Sequence, residues 1–178
     1  MKIPEAVKRD YDHWRNFLEQ RVDFSLKDSE YHTRAHCARV LLHALLIAEK
    51  MGLSQELWEV LGAAAVFHDT RRQDDWLDVG HGQRAAEYYK EFCRTNPLVY
   101  DERVYRIIAY HDREDALGEA ALSDLEHGVL LYRIFKDADA LDRFRLGEKA
   151  LDEDMLRTAP ARSLTDFARY LVAETAHT

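Results

Sequence analysis

The chain has 178 residues, of which 47% are hydrophobic and 33% are charged, and its formal net charge is −8. That length and balance exclude a disordered chain and predict one globular domain over residues 1–178 with a real hydrophobic core. The acidic balance also excludes a surface that coats nucleic acid, which would normally be basic. With only 7 Gly and 3 Pro, the composition favours helices.

Several features predict a cytoplasmic protein without a membrane span. The first ten residues lack the apolar stretch of a signal peptide, and no run of 18 apolar residues occurs. Cys37 and Cys93 lie far apart, which favours reduced thiols over a disulfide framework. Nothing in the sequence indicates the oligomeric state.

Hydrophobic residues recur at steps of three and four along most of the chain, which predicts amphipathic α-helices. In the first helix, Val7, Tyr11, Trp14 and Leu18 share one face. The predicted helices cover residues 4–22, 33–51, 54–69, 81–94, 100–113, 122–145 and 163–175, with a short one near 147–157, and a charged loop covers 70–80. The sequence therefore predicts an all-α fold, a single helical bundle.

An adjacent pair, His68 and Asp69, ends the apolar run of residues 61–67. An imidazole nitrogen beside a carboxylate oxygen suits a borderline divalent metal such as iron, manganese, zinc or cobalt. Matching ligand types occur on other predicted helices, namely His36, His81, His111 and Asp139. Helical bundles commonly build metal sites from side chains on several helices, so we expect these residues to meet.

The helix that carries His36 also carries His32 and His43 on the same face, since their spacings of four and seven residues are close to whole helical turns. His43 lies on an apolar face, and we interpret it as a hydrogen-bonded core histidine. Two interpretations of His32 remain open. Its ring packs at the start of the helix, or it acts as an acid or base.

The ordered motifs resemble the HD-domain superfamily of metal-dependent phosphohydrolases. The segment AAAVFHD at 63–69 is similar to the motif that names the family, HCARV at 36–40 to its first-histidine helix, and ADAL at 138–141 to its last-ligand segment. DVGHGQRAA at 78–86 and the pair Tyr110-His111 resemble the extra histidines of members with two metals. The resemblance covers residues 31–145 and implies an HD-type helical bundle.

The resemblance implies a first metal bound by His36, His68, Asp69 and Asp139. It further implies that Asp69 bridges to a second metal held by His81 and His111. The cofactor is then one or two divalent ions per chain, Mn, Fe, Co, Zn or Mg, with Fe or Mn favoured. Asp137 and Asp139 both remain possible as the last ligand, and the family pattern favours Asp139.

The sequence also indicates residues that would act on the substrate next to the metals. The start Tyr31-His32 resembles that of cyclic-nucleotide phosphodiesterases, in which the earlier histidine serves the leaving group. Thr70-Arg71-Arg72 stands where the family often has Gly-Lys, and we expect Arg71 and Arg72 to bind substrate phosphate, because guanidinium groups pair with phosphate oxygens. Weaker candidates for the same role are Arg113, Lys136 and Arg143.

These assignments predict an enzyme, a phosphatase or phosphodiesterase that hydrolyses a small phosphate ester, a nucleotide among the candidates, with a metal-activated water. The catalytic residues would be Asp69, His32 and Arg72, and the partner a small phosphorylated substrate. Two alternatives remain open. One is a di-iron oxygenase on the same fold, and the other is a non-catalytic HD-type sensor that binds a ligand.

Overall fold

The computed structural model describes residues 1–27, 29 and 31–175. Within these residues the chain forms nine α-helices, two short 3-10 helices and no β-strand. The α-helices are α1 (Glu5–Arg21), α2 (Arg34–Lys50), α3 (Gln55–Phe67), α4 (His81–Thr95), α5 (Glu102–Tyr110), α6 (Asp115–Leu122), α7 (Gly128–Leu141), α8 (Ala159–Arg162) and α9 (Thr165–Thr175). The 3-10 helices are Asp142–Leu146 and Glu153–Met155. The prediction of an all-α fold is confirmed.

Helix α2 lies at the centre and packs against α1, α3 and α7. It is buried on nearly all sides, as expected of a helix that is apolar around its circumference. Helix α1 approaches α3 closely at Gly62, where an added Cβ would lie 2.3 Å from Nε1 of Trp14. One continuous cluster of buried side chains extends from Val7 in α1 to Ala168 in α9.

The ends of α2, α3 and α4 follow local signals in the sequence. The Thr33 side chain caps α2 by accepting a hydrogen bond from the His36 amide, and Gly52 follows α2 with φ of +65°. Helix α3 ends at Phe67, so the chain turns away at His68. Gly80, with φ of +89°, turns the chain into α4, which begins at His81.

The predicted helix boundaries are wrong between residues 113 and 157. Helix α6 was not predicted, because eight residues give too little periodicity to register. The predicted helix 122–145 is shorter at both ends: it begins at Gly128 after His127 in the left-handed region and changes to a 3-10 helix after Leu141. Near 147–157 only the 3-10 helix Glu153–Met155 forms.

The C-terminal elements pack onto the same bundle. The buried Asp137 carboxylate on α7 accepts hydrogen bonds from the backbone amides of Arg157 and Thr158, which fixes the start of α8. Helix α9 packs along the 3-10 helix that follows α7. In the described part of the chain, no helix combines the length and apolarity needed to cross a membrane.

Candidate metal centre

A cavity of about 330 Å³ opens where α2, α4, α5 and α7 meet the end of α3. Its floor carries the histidines and aspartates that the sequence singled out, and its walls carry cationic side chains. The cavity-lining acids and histidines are His32, His36, Asp69, His81, His111, Asp112 and Asp139, and the lining cations are Arg72, Arg113, Lys136, Arg143 and Arg145.

Four imidazoles, three lining this cavity and His68 buried behind them, are held with Nδ1 hydrogen-bonded away from the cluster. In each, Nδ1 lies within hydrogen-bond distance of a group that can only accept, so Nδ1 carries the proton. These pairs are His36 with Asp142 Oδ2 at 2.7 Å, His68 with the Ala65 carbonyl at 2.9 Å, His81 with the Asp78 carbonyl at 2.7 Å, and His111 with the Ile108 carbonyl at 2.7 Å. When the rings are neutral, every Nε2 therefore presents a lone pair.

The four Nε2 atoms converge on Asp69 in two groups. The Nε2 atoms of His36 and His68 lie 3.1 Å apart and face Asp69 Oδ2 at 3.4 and 3.7 Å. The Nε2 atoms of His81 and His111 lie 2.9 Å apart and face Asp69 Oδ1 at 3.2 and 3.6 Å. Ligands bonded to one metal at ordinary distances lie about 3.0–3.4 Å from each other, and the distances in both groups lie within about 0.3 Å of that range.

Asp139 completes the first group. Its Oδ1 lies 3.4 Å from His36 Nε2, and His36, His68 and Asp139 offer ligand atoms within 4.8 Å of one another. Asp137, two residues earlier on α7, points to the opposite side, where it binds the backbone of Arg157 and Thr158. The structure therefore places Asp139, not Asp137, at the cluster.

The histidines and carboxylates of the cluster shift one another's pKa values. Burial opposes a charge on His36, as does Arg145, yet hydrogen bonds to Asp139, Asp142 and Asp69 raise its pKa to about 10. Burial lowers the pKa of His68 to about 3. Burial raises the pKa of the Asp69 carboxyl, but the surrounding histidines outweigh it and hold that pKa well below the usual range.

The ionised Asp69 is incompletely satisfied by the protein. His32 Nδ1 lies 2.8 Å from Oδ2 and donates to it. The other oxygen, Oδ1, is buried and has no hydrogen-bond donor among the described residues. A buried carboxylate oxygen without a donor is costly, and a divalent cation between the histidines would satisfy it. The residues present therefore fit a metal ion.

Asp142 supports the first group from behind and was not identified in the sequence. Its side chain has no exposed surface, accepts from His36 Nδ1 and from Arg39 Nε at 2.5 Å, and has Arg145 Nη1 at 3.5 Å. A carboxylate behind a ligating histidine orients the ring and increases its basicity. In the sequence, Asp142 could have been noticed because it lies three residues after Asp139, which puts the two carboxylates on one side of a helical turn.

The two adjacent arginines of the sequence prediction lie in different places. Arg72 lines the cavity, with Nη1 3.1 Å from His81 Nε2. The Arg71 guanidinium lies 3.4 Å from the ring centroid of Tyr88 and donates to the Asp23 carbonyl, away from the cavity lining. The structure thus brings Arg72 to the cluster and does not bring Arg71.

Asp112 is a further cavity residue that the sequence prediction missed. It follows His111 directly, and its Oδ2 accepts from the amides of Gly80 and Gly82 at the start of α4. An added Cβ on Gly82 would lie 2.7 Å from the Ile108 carbonyl oxygen and 3.1 Å from His111 Nδ1. The contact between α4 and α5, which brings His81 to His111, therefore requires glycine at this position.

His43 does not take part in the cluster. It is fully buried on α2, with its ring edge-on to Phe167 in α9. Neither ring nitrogen has a hydrogen-bond partner among the described residues, so the prediction of a hydrogen-bonded core histidine is wrong in that respect. Burial lowers its pKa to about 4, which keeps the ring neutral.

Comparison with known proteins agrees with this geometry. Residues 33–143 match the family described as HD domain. Since the match spans more than half of the chain, the protein belongs to the HD domain family, most of whose members are metal-dependent hydrolases. Searches among curated proteins and among solved structures each return no match.

Proposed function

We propose that the protein is a metal-dependent phosphohydrolase that acts on a small phosphate ester, with nucleotides as the first candidates. The observation that carries this proposal is the convergence of four imidazole Nε2 atoms on one buried carboxylate, at a cavity walled by cations. Family membership supports the same assignment.

The first metal would be held by His36, His68, Asp69 Oδ2 and Asp139, and the second by Asp69 Oδ1, His81 and His111. Nitrogen and oxygen ligands in this mixture suit iron or manganese, which we favour. When bound, such ions lower the pKa of a water and stabilise negative charge on a phosphoryl group. Asp69, which touches both groups, holds the two positions together.

The cavity walls favour an anionic substrate. Five cations face the cavity against the carboxylates of Asp69, Asp112 and Asp139, although the chain as a whole has a net charge of −8. Arg72 is the best placed of the cations, since it lies beside both His81 and Asp69. Its guanidinium would pair with phosphate oxygens at the reacting centre.

His32 would serve the leaving group. Its Nδ1 donates to Asp69, which fixes the ring, and the ring lines the cavity. The second ring nitrogen, Nε2, can then hold a proton and pass it to the departing oxygen, as a general acid does.

The first experiment measures metal content on freshly isolated protein, and then phosphate release from a panel of phosphate mono- and diesters that includes nucleotides. We expect bound iron or manganese and hydrolysis that depends on it. Oxygen uptake measured in parallel would reveal oxidative chemistry instead. Protein that binds none of Mn, Fe, Co, Zn or Mg after incubation with each would overturn the proposal.

Two matched variants on α7 test the ligand assignment. Asp139→Asn should weaken metal binding by more than the roughly 10–100-fold typical of changes behind the ligands, and should abolish hydrolysis. Asp137→Asn should retain metal and hydrolysis but lose about 1–3 kcal/mol of folding stability, because it weakens buried hydrogen bonds to the start of α8. If the two variants exchanged these effects, the ligand assignment would be wrong.

A further inference from the structure

The two proposed metal positions differ in how much negative charge surrounds them. The first is flanked by carboxylate oxygens of Asp69 and Asp139, while Asp142 behind His36 is paired with Arg39. The second is flanked by Asp69 Oδ1 and by the imidazoles of His81 and His111, which bring no negative charge. Since carboxylates offset the charge of a divalent ion and imidazoles do not, the second position is electrostatically poorer.

A further carboxylate, Asp112, lies behind the second position as Asp142 lies behind the first. Asp112 Oδ2 lies 3.5 Å from Nδ1 of His81, which is the ring nitrogen that does not face the cluster. Arg113 Nε lies 3.4 Å from Asp112 Oδ1 and offsets its charge, as Arg39 offsets that of Asp142. Asp139, which has no counterpart at the second position, therefore remains the difference between the two.

A guanidinium is fixed beside the second position. Arg72 Nη1 lies 3.1 Å from Nε2 and 3.3 Å from Nδ1 of His81, within hydrogen-bond distance of both ring nitrogens. The same atom lies 3.6 Å from Asp69 Oδ1. Because Arg72 contacts the histidine and the carboxylate oxygen of this position, its charge acts on any cation bound there.

Arg72 is held in this place by its own loop. Its Nη2 donates to the Trp76 carbonyl at 2.7 Å and its Nε to the Asp74 carbonyl at 3.2 Å. The side chain is 6% exposed, so water screens its charge little. An arginine also cannot lose its proton at ordinary pH, so the repulsion between Arg72 and a second metal is permanent.

A bound phosphate group would change the repulsion between Arg72 and the second metal ion into a net attraction. Its oxygens can pair with the guanidinium and at the same time offset the charge of a nearby cation. We infer that Arg72 couples the second metal to the substrate, so that the second divalent ion binds weakly by itself and tightly together with a phosphate group. This inference rests on the proposed function for the two metal positions.

Thermodynamic linkage makes the coupling reciprocal, so each of the two ligands increases the affinity for the other by the same factor. The test is a Mn²⁺ titration of the whole protein, with free Mn²⁺ followed by electron paramagnetic resonance and bound metal by equilibrium dialysis. It is carried out with and without inorganic phosphate. We expect one tight ion without phosphate, and a second whose affinity rises by at least about tenfold with phosphate.

Three variants identify the residue responsible. Arg72→Gln should tighten the second Mn²⁺ by about tenfold without phosphate and should lose most of the phosphate effect. Arg72→Lys retains the charge, so the second ion should again bind weakly without phosphate. Arg71→Gln is the matched control, because its guanidinium packs on Tyr88, and it should behave like the wild type. Circular dichroism confirms that each variant is folded.

The outcomes separate the inference from the proposed function. Two ions that bind the wild type equally well with and without phosphate would overturn the inference and leave the metal assignment intact. A single ion under both conditions would also overturn it, as would an Arg72→Gln variant that titrates like the wild type. A wild-type protein that binds no divalent ion would overturn the proposed function itself.

Discussion

The helices that carry the first ligand group and the loop that carries Arg72 are built in contrasting ways. His36, His68 and Asp139 project from α2, the end of α3 and α7, which are packed into the core. The loop over residues 70–80 has an exposed apolar tip, with Trp76 84% and Leu77 90% exposed. Ligand geometry thus depends on tertiary packing, whereas the placement of Arg72 depends on a few hydrogen bonds within its own loop.

Substitutions in the helices and at the tip of the loop should therefore differ in their effects on folding stability and metal affinity. A substitution in the helical framework should change folding stability or metal affinity. A substitution at the loop tip should leave both nearly unchanged.

The largest expected effect is on acid stability and comes from His43 in the framework. The pKa of this buried base is lowered to about 4, whereas the unfolded chain takes up the proton near 6.5. The contribution of neutral His43 to stability is therefore intact above pH 6.5 and is lost as the pH falls towards 4, by about 3 kcal/mol in total. His43→Leu should remove this loss.

The measurement is the free energy of unfolding at pH 7 and at pH 4.5, with a chelator present to exclude metal effects. The difference between wild type and His43→Leu should grow as the pH falls. His13→Leu, which removes an exposed histidine of α1, is the control. An equal pH dependence in wild type and His43→Leu would contradict a buried neutral ring at this position.

The next effect concerns the support of the first ligand group. Asp142→Asn retains an oxygen that can accept from His36 but removes the charge shared with Arg39 and Arg145. We expect metal affinity to fall by roughly 10–100-fold while the fold is retained, as for other carboxylates behind ligating histidines. Metal titration by equilibrium dialysis measures the change.

Asp10→Asn provides the control for Asp142→Asn, because Asp10 is a buried carboxylate on α1 that pairs with Gln55. It should leave metal affinity unchanged. Equal affinities in wild type and Asp142→Asn would mean that the charge behind His36 has no influence on metal binding.

The smallest effect is expected at the loop tip. Trp76→Ser should change the free energy of unfolding by less than about 0.5 kcal/mol and leave Mn²⁺ affinity unaltered, because Arg72 binds the backbone carbonyl of residue 76 and not its side chain. Trp14→Ala in the core should cost about 3–5 kcal/mol in the same thermal or urea unfolding assay. A large loss for Trp76→Ser would show that the tip is part of the packed structure.

The long elements, and the histidines and aspartates that meet at the cluster, could be predicted from local patterns. Helices α1 to α4 have clear periodicity or clear end signals, and the pair His68-Asp69 lies at a helix end, where a chain can turn towards a site. The six proposed metal ligands meet at one cavity floor.

Other features depend on contacts between distant segments and could not be predicted. Arg71 and Arg72 lie in a turn without helical periodicity, so nothing local indicates which of them faces the cavity. Asp142 gains its role from His36, which is 106 residues away in the chain. His43 was placed in the core by its apolar face, but its lack of a hydrogen-bond partner depends on the surrounding helices.

The absence of a side chain at Gly82 sets how closely α4 and α5 can approach. With no side chain there, α4 and α5 approach closely enough to bring His81 and His111 within 2.9 Å. A methyl group at residue 82 would push the two helices apart, because it would lie 2.7 Å from the Ile108 carbonyl oxygen. On the proposed assignment, a descendant of this protein could therefore pass from two metal ions to one by a single codon change, with every ligand residue still encoded.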